Sequence, residues 1–227
     1  AFDAAGQPTK APLGFAASCG TTVDALEQVD GPKGRVLQFV GKKVGAETVA
    51  LLADVVNASL RTLPIARRMR WGAGDEEFVR PVHWVVMLFG SAVVDAQILG
   101  VRTGKHTRGH RFHAPRELSV RAPGTYCATL LERGYVVADM QERRERIRSG
   151  VADLARTLGG EAVIDEALLD EVTALVEWPV PLAGQFDAQY LALPPELPIA
   201  TMQDHQRYFP LRDSNGRLMN AFITLAN

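Results

Sequence analysis

The chain is short of cysteine, of lysine and of long apolar runs. Cys19 and Cys127 are its two cysteines, far apart and in no metal or redox spacing. That excludes a disulfide framework and a cysteine zinc site. Both thiols are expected to be free and buried or half-buried. With no visible secretory signal they fit a reducing cytosol and a cytoplasmic protein. No segment approaches the roughly 18 apolar residues of a membrane helix. The longest apolar stretch, Trp84 to Phe89, has the length of a strand. The phosphate-binding signatures Gly-x-x-x-x-Gly-Lys-Ser/Thr and Gly-x-Gly-x-x-Gly are missing. Gly31-Pro-Lys-Gly34 and Gly41-Lys-Lys-Val-Gly45 read as strand-flanking turns, since neither runs from a strand straight into a helix. No cofactor is therefore expected in these residues.

What is present is an ordinary globular composition with an uneven charge map. Hydrophobic content of 47% and charged content of 22% suit a domain that buries a real core. The net charge of −1 conceals a basic middle and an acidic later part. Arg61 to Arg121 holds eleven Lys/Arg against five Asp/Glu, and Asp153 to Asp204 holds ten acids against Arg156 alone. Arginine outnumbers lysine twenty to five, and its planar fork suits phosphates and carboxylates. The basic middle could face a nucleic acid, or the bias could reflect solvated helix faces and codon composition. Both ends look cut, so a piece of a longer polypeptide is expected.

Helices are predicted over Lys10–Cys19, closed by Gly20, and over Ala46–Leu63, stopped by Pro64. Gly34–Gly41 alternates as a strand, and Pro64–Arg80 reads as irregular. A hairpin is expected from His83–Phe89, the turn Gly90-Ser91 and Ala92–Leu99. Gly100–Pro115 then reads as a long basic loop. Thr125–Arg133 is a predicted helix stopped by Gly134, followed by a short strand Tyr135–Val137. Asp139 caps a long helix with Ile147, Val151, Leu154 and Leu158 inward. Asp165 caps another, with Leu168, Leu169, Val172, Leu175 and Val176 inward. Val180–Phe186 is a strand, a short helix runs through Met202, and Tyr208–Arg212 and Leu218–Leu225 form a closing hairpin. Helices and strands mix without βαβ alternation. The expected class is α+β, with a mixed, mostly antiparallel sheet and packed helices. No internal repeat is visible.

The candidate site is the basic loop. Between Arg102 and Arg116 lie Arg102, Lys105, Arg108, Arg111 and Arg116 with no acid, interleaved with His110 and Phe112. Cations beside an aromatic ring suit RNA phosphates and base stacking. The same side chains could instead cap strand-end carbonyls and pair with acids elsewhere. Arg67, Arg68 and Arg70, with Arg61, make a second cluster, although Asp75-Glu-Glu77 follows and could take up its charge. His106, His110 and His113 would need a helix to form a metal face, and Gly104, Gly109 and Pro115 oppose one. No metal site and no catalytic residue is expected. Asp204-His205 with Thr201 lacks a nucleophile turn, and Glu177 suits a backbone-bonded carboxylate at a helix end.

The three tryptophans lie in Met69-Arg-Trp-Gly72, Arg80-Pro-Val-His-Trp84 and Leu175-Val-Glu-Trp-Pro179. With Gly109-His-Arg-Phe-His113 and Met202-Gln-Asp-His-Gln-Arg-Tyr-Phe209 they make a signature. It resembles the N-terminal region of the β subunit of bacterial glycyl-tRNA synthetase, the two-subunit form, across essentially the whole chain. The resemblance implies one B3/B4-like α+β region over 1–227, excised from a longer β subunit, with room for a subdivision near 123–138. It implies a part of glycine–tRNA ligase that supports aminoacylation through tRNA binding and assembly. Its expected partners are the α subunit, tRNA(Gly) and the remainder of the β subunit, with no membrane. Adenylation in that family belongs to the α subunit, so ATP and Mg2+ are implied for the complete enzyme through that subunit. The B3/B4 module of phenylalanyl-tRNA synthetase hydrolyses mischarged tRNA, which makes an editing-like hydrolase or small-ligand pocket the alternative. No motif here carries over a catalytic residue.

Overall fold

A computed structural model describes residues 7–32, 34–42 and 44–227. It divides into two compact units between Ala50 and Leu51. The first unit holds helix α1 (Lys10–Ser18) and the hairpin β1 (Glu27–Gly31) and β2 (Gly34–Gln38). Gly20 adopts φ 65° and closes α1, with the Thr21 N–H on the Ala16 carbonyl at 3.0 Å. β1 pairs antiparallel with β2 from Glu27–Gln38 to Gly31–Gly34. The Glu-Gln-Val-Asp-Gly sequence of β1 carries no apolar alternation, which is why β2 alone was legible.

Helix α2 (Thr48–Thr62) opens across the divide. Its Leu52, Val56 and Leu60 pack against a small core of Met87, Val94 and Ile98. Short strands build that region: β3 (Met69–Arg70), β4 (Glu77–Phe78), β5 (Val85–Val86), β6 (Leu88–Phe89), β7 (Ala92–Val93), β8 (Gln97–Ile98), β9 (Val101–Gly104), β10 (His106–Arg108) and β11 (Glu117–Ser119). Two expectations need correction here. Pro64–Arg80 is not wholly irregular, because β3 and β4 pair across it. Gly100–Pro115 is not one loop, because β9 and β10 occupy its first part. Their buried positions are Thr103 and Thr107 rather than aliphatic residues, so the apolar half of the alternation is absent from the sequence. The Thr103 hydroxyl donates to the Val94 carbonyl at 2.6 Å and accepts the Ala96 N–H at 2.9 Å. A buried hydroxyl satisfied in this way avoids a desolvation cost of about 1–3 kcal/mol. The Gly90 turn joins β6 to β7 as expected, but each arm of that hairpin is broken in two.

Helix α3 (Tyr126–Thr129) runs into a π-helical segment, Leu130–Gly134. The strand expected at Tyr135–Val137 does not form. Tyr135 takes the left-handed conformation at φ 53°, and the segment is tied instead by the Val137 N–H to the Glu177 carbonyl at 2.9 Å. The remaining elements are α4 (Met140–Thr157), β12 (Glu161–Ala162), α5 (Glu166–Leu175), β13 (Val180–Gln185), α6 (Glu196–Ala200), β14 (Phe209–Arg212) and β15 (Leu218–Ala226). Both predicted caps are present. The Asp139 carboxylate accepts the Glu142 N–H at 2.8 Å, and that of Asp165 accepts the Leu168 N–H at 2.9 Å.

α4 and α5 lie on an antiparallel sheet of order β12-β14-β15-β13. The main core gathers Ile147, Val151 and Ala155 of α4, Leu168, Leu169 and Val172 of α5, and Phe209, Leu211 and Ile223 of the sheet. Leu175, expected inward, is 62% exposed because α5 ends there and the chain turns out, while Val176 is buried. Cys127 is exposed rather than buried, and Cys19 is intermediate; both are free. The α+β class holds, and the sheets are mostly antiparallel, with β5–β9 the parallel exception among the described residues.

Candidate nucleic-acid interface

β5 pairs in parallel with β9, Val85 beside Thr103, which carries Trp84 alongside β10. β10 in turn pairs with β11, His106 opposite Ser119 and Arg108 opposite Glu117. These strands wall an open cleft of about 860 Å³, whose lining includes His83, Trp84, Arg102, Arg108, Arg111 and Glu177. The Trp84 indole N–H donates to the Thr107 hydroxyl at 3.2 Å. The Arg108 guanidinium carbon lies 5.8 Å from the centre of the Trp84 ring, within cation–π range. Trp84 is nevertheless 44% exposed. Segments that sequence reasoning treated as separate, Arg80–Trp84, Gly109–His113 and Leu175–Pro179, therefore meet at one place.

The cations differ in how committed they are. Arg102 grips Asp95 through two bonds of 2.9 and 3.0 Å. That pairing raises the Arg102 guanidinium further above its ordinary value and holds the Asp95 carboxyl below the usual carboxylate range. His106 faces Glu117 at 3.9 Å. Lys105, Arg108, Arg111 and Arg116 are exposed, and among the described residues none has an acid within ion-pair distance. Phe112 is 80% exposed. An uncommitted cation can trade solvating water for a phosphate, whereas Arg102 must first leave Asp95.

His110 does a different job. It is buried, and its Nδ1 accepts the N–H groups of Phe112 and His113, both at 3.3 Å, which shapes the turn that presents Arg111 and Phe112. Behind that turn Gly109 crosses Gly134 backbone to backbone. The His110 N–H donates to the Gly134 carbonyl at 2.6 Å. A Cβ on Gly109 would sit 2.5 Å from that same carbonyl oxygen. The rings of His113, Tyr135 and Trp178 continue the support at centroid separations of 5.4 and 5.3 Å. The Asn227 side chain accepts the Glu177 and Trp178 N–H groups at 2.6 and 3.0 Å.

The second arginine cluster does not line this cleft. Arg68 is half-buried and closes the C-terminus of α2, donating to the carbonyls of Leu60, Arg61 and Leu63 at 3.1, 3.3 and 3.4 Å. Arg70 pairs with Asp75 at 3.3 Å, and Arg67 is exposed. Sequence reasoning missed His83, Trp84 and Glu177 as cleft residues, although their place in the shared signature stretches was the available signal. Thr201 donates its hydroxyl to the Leu197 carbonyl, and Asp204 and His205 are exposed on a π-helical segment, Thr201–Gln206. Among the described residues no group of three or more His, Cys, Asp or Glu could hold a metal ion. Gly31 and Gly34 close the β1–β2 hairpin with no helix behind them.

A family model described as glycyl-tRNA synthetase beta subunit matches residues 1–227. The glycine–tRNA ligase beta subunit of Marinobacter nauticus is 51% identical over 228 residues, covering 100% of this chain and 33% of that protein. That of Hahella chejuensis is 51% identical, with 100% and 33% covered. That of Pseudomonas aeruginosa is 52% identical over 230 residues, with 100% and 32% covered. The chain spans about a third of the length of the curated relatives it matches.

Proposed function

Because the chain belongs to the glycyl-tRNA synthetase β-subunit family, we propose that it is a tRNA-binding and assembly region of glycine–tRNA ligase and does no bond-making of its own. It acts in the cytoplasm with the α subunit, the remainder of the β subunit and tRNA(Gly). ATP and Mg2+ serve the complete enzyme through the α subunit. The observation that carries this reading is a cleft lined by Arg108 and Arg111, which with the nearby exposed Lys105 and Arg116 have no acid partner among the described residues. Such contacts bind the RNA backbone and leave base identity to other parts of the protein. Glycine is the smallest amino acid, so larger rivals are excluded sterically, which lowers the need for hydrolytic correction.

The test is charge reversal, Arg108→Glu with Arg111→Glu, in the complete α/β enzyme. Aminoacylation at limiting tRNA should fall, and tRNA affinity should become less salt-sensitive. Unchanged kinetics would remove the RNA role of this cleft. The concavity of the cleft favours a second reading, a deacylase of the B3/B4 type. It is decided by release of amino acid from misacylated tRNA above background.

A further inference from the structure

The basic cleft adjoins a second hollow at Trp84. Trp84 and Thr107 line both. The second hollow is about 400 Å³, and its further lining includes Val86, Leu88, Pro123 and Tyr126, with no charged side chain. Tyr126 is 36% exposed at the start of α3. At Trp84 a cleft lined by Arg102, Arg108 and Arg111 therefore adjoins a hollow lined by uncharged side chains, Tyr126 among them. The indole N–H is held by the Thr107 hydroxyl, and Trp84 borders both hollows.

We propose that this second hollow holds an unpaired RNA base against Trp84 and Tyr126 while the flanking phosphates lie on Arg108 and Arg111. The proposal rests on the RNA-binding reading above and deepens it by naming the strand state that is recognised. The two sides supply the two things a single-stranded nucleotide offers, a π-face and a charged backbone. A duplex offers only the second, because its bases are stacked and its deep groove excludes side chains. The lining carries the Thr107 hydroxyl, already engaged by Trp84, the Tyr126 phenol and no charged group, so stacking outweighs hydrogen-bond readout there.

The test measures binding of the full-length β subunit to a short fluorescent single-stranded RNA and to a blunt duplex of the same length, by anisotropy over a salt series. The single strand should bind more tightly. Trp84→Leu should weaken single-strand binding by about tenfold or more, Trp84→Phe should keep most of it, and duplex binding should fall by less than single-strand binding. Tyr126→Leu, at an exposed position, should weaken the single strand in the same direction and carries the test if Trp84→Leu does not fold. Equal affinity for duplex and single strand overturns the proposal. So does unchanged single-strand binding in Tyr126→Leu and in folded Trp84→Leu. If those variants are silent while Arg108→Glu with Arg111→Glu still weakens tRNA binding, the base hollow falls and the RNA-binding reading stands. If tRNA shows no salt-dependent binding to the full-length subunit, the reading itself falls.

Discussion

Two glycines that touch each other are not equally constrained. A Cβ on Gly109 would meet backbone, the Gly134 oxygen at 2.5 Å and Cα at 2.6 Å. A Cβ on Gly134 would meet the ends of Leu118 and Leu130 at 3.2 and 3.3 Å, which can turn aside. Gly109→Ala should therefore destabilise the protein clearly more than Gly134→Ala in urea unfolding of the full-length subunit, and a reversed order would refute the crossing. Arg68 makes a second prediction. Its guanidinium satisfies three helix-end carbonyls, so Arg68→Ala should cost about 1–3 kcal/mol, read from the same transitions. Neither role was legible from residue type. The sequence marks Arg68 as one of four basic residues near Trp71, and only the path of the chain after Pro64 brings it back to the end of α2. The same limit applies to His110, whose imidazole sits inside a turn although its neighbours Arg111 and Phe112 face outward.

Elements were legible where a local rule decides them. The caps Asp139 and Asp165 and the 3–4 apolar spacing behind them located α4 and α5 closely, because capping and burial act within a few residues. Asp139→Ala and Asp165→Ala should each lower stability by about 1 kcal/mol, checked by chemical denaturation. β9 and β10 were missed because threonines fill their inner positions. β3 and β4 were missed because two residues per strand leave no period to read. The α4–α5 contact carries a pH signature. Glu166 receives Arg148 at 2.6 Å and Arg144 at 2.5 Å. Hydrogen bonds from Arg148 first and Arg144 second hold its carboxyl below the ordinary glutamate range. A carboxyl lowered on folding binds fewer protons folded than unfolded. Its contribution is thus present above the ordinary glutamate pKa and is lost as pH falls through the lower, folded value. Carboxyl NMR should place Glu166 below a free glutamate, and Glu166→Gln should flatten the acid limb of the stability curve. A Glu166 midpoint at or above the free value would contradict the pairing.

At the scale of the molecule the candidate site is a meeting of distant segments, and no single stretch of sequence announces it. The basic run Arg102–Arg116 was legible as cationic surface, whereas its joining to Trp84 and Glu177 required the parallel pairing of β5 with β9 and the tie from Val137 to Glu177. For the assembled enzyme, the expected measure is the slope of tRNA affinity against salt. Removing Arg108 and Arg111 as phosphate partners should reduce that slope by roughly 1.4–1.8, and an unchanged slope would show that the phosphates lie elsewhere. Glu177, which lines the cleft with Trp84 and Arg108, lies far down the chain from both. A ribosome releases the chain in one direction, so Trp84 and Arg108 emerge long before the residues that complete their cleft. Until Glu177 is out, the nascent chain carries those cations on an unfinished wall, and the cleft closes only after the residues that bear its arginines have emerged.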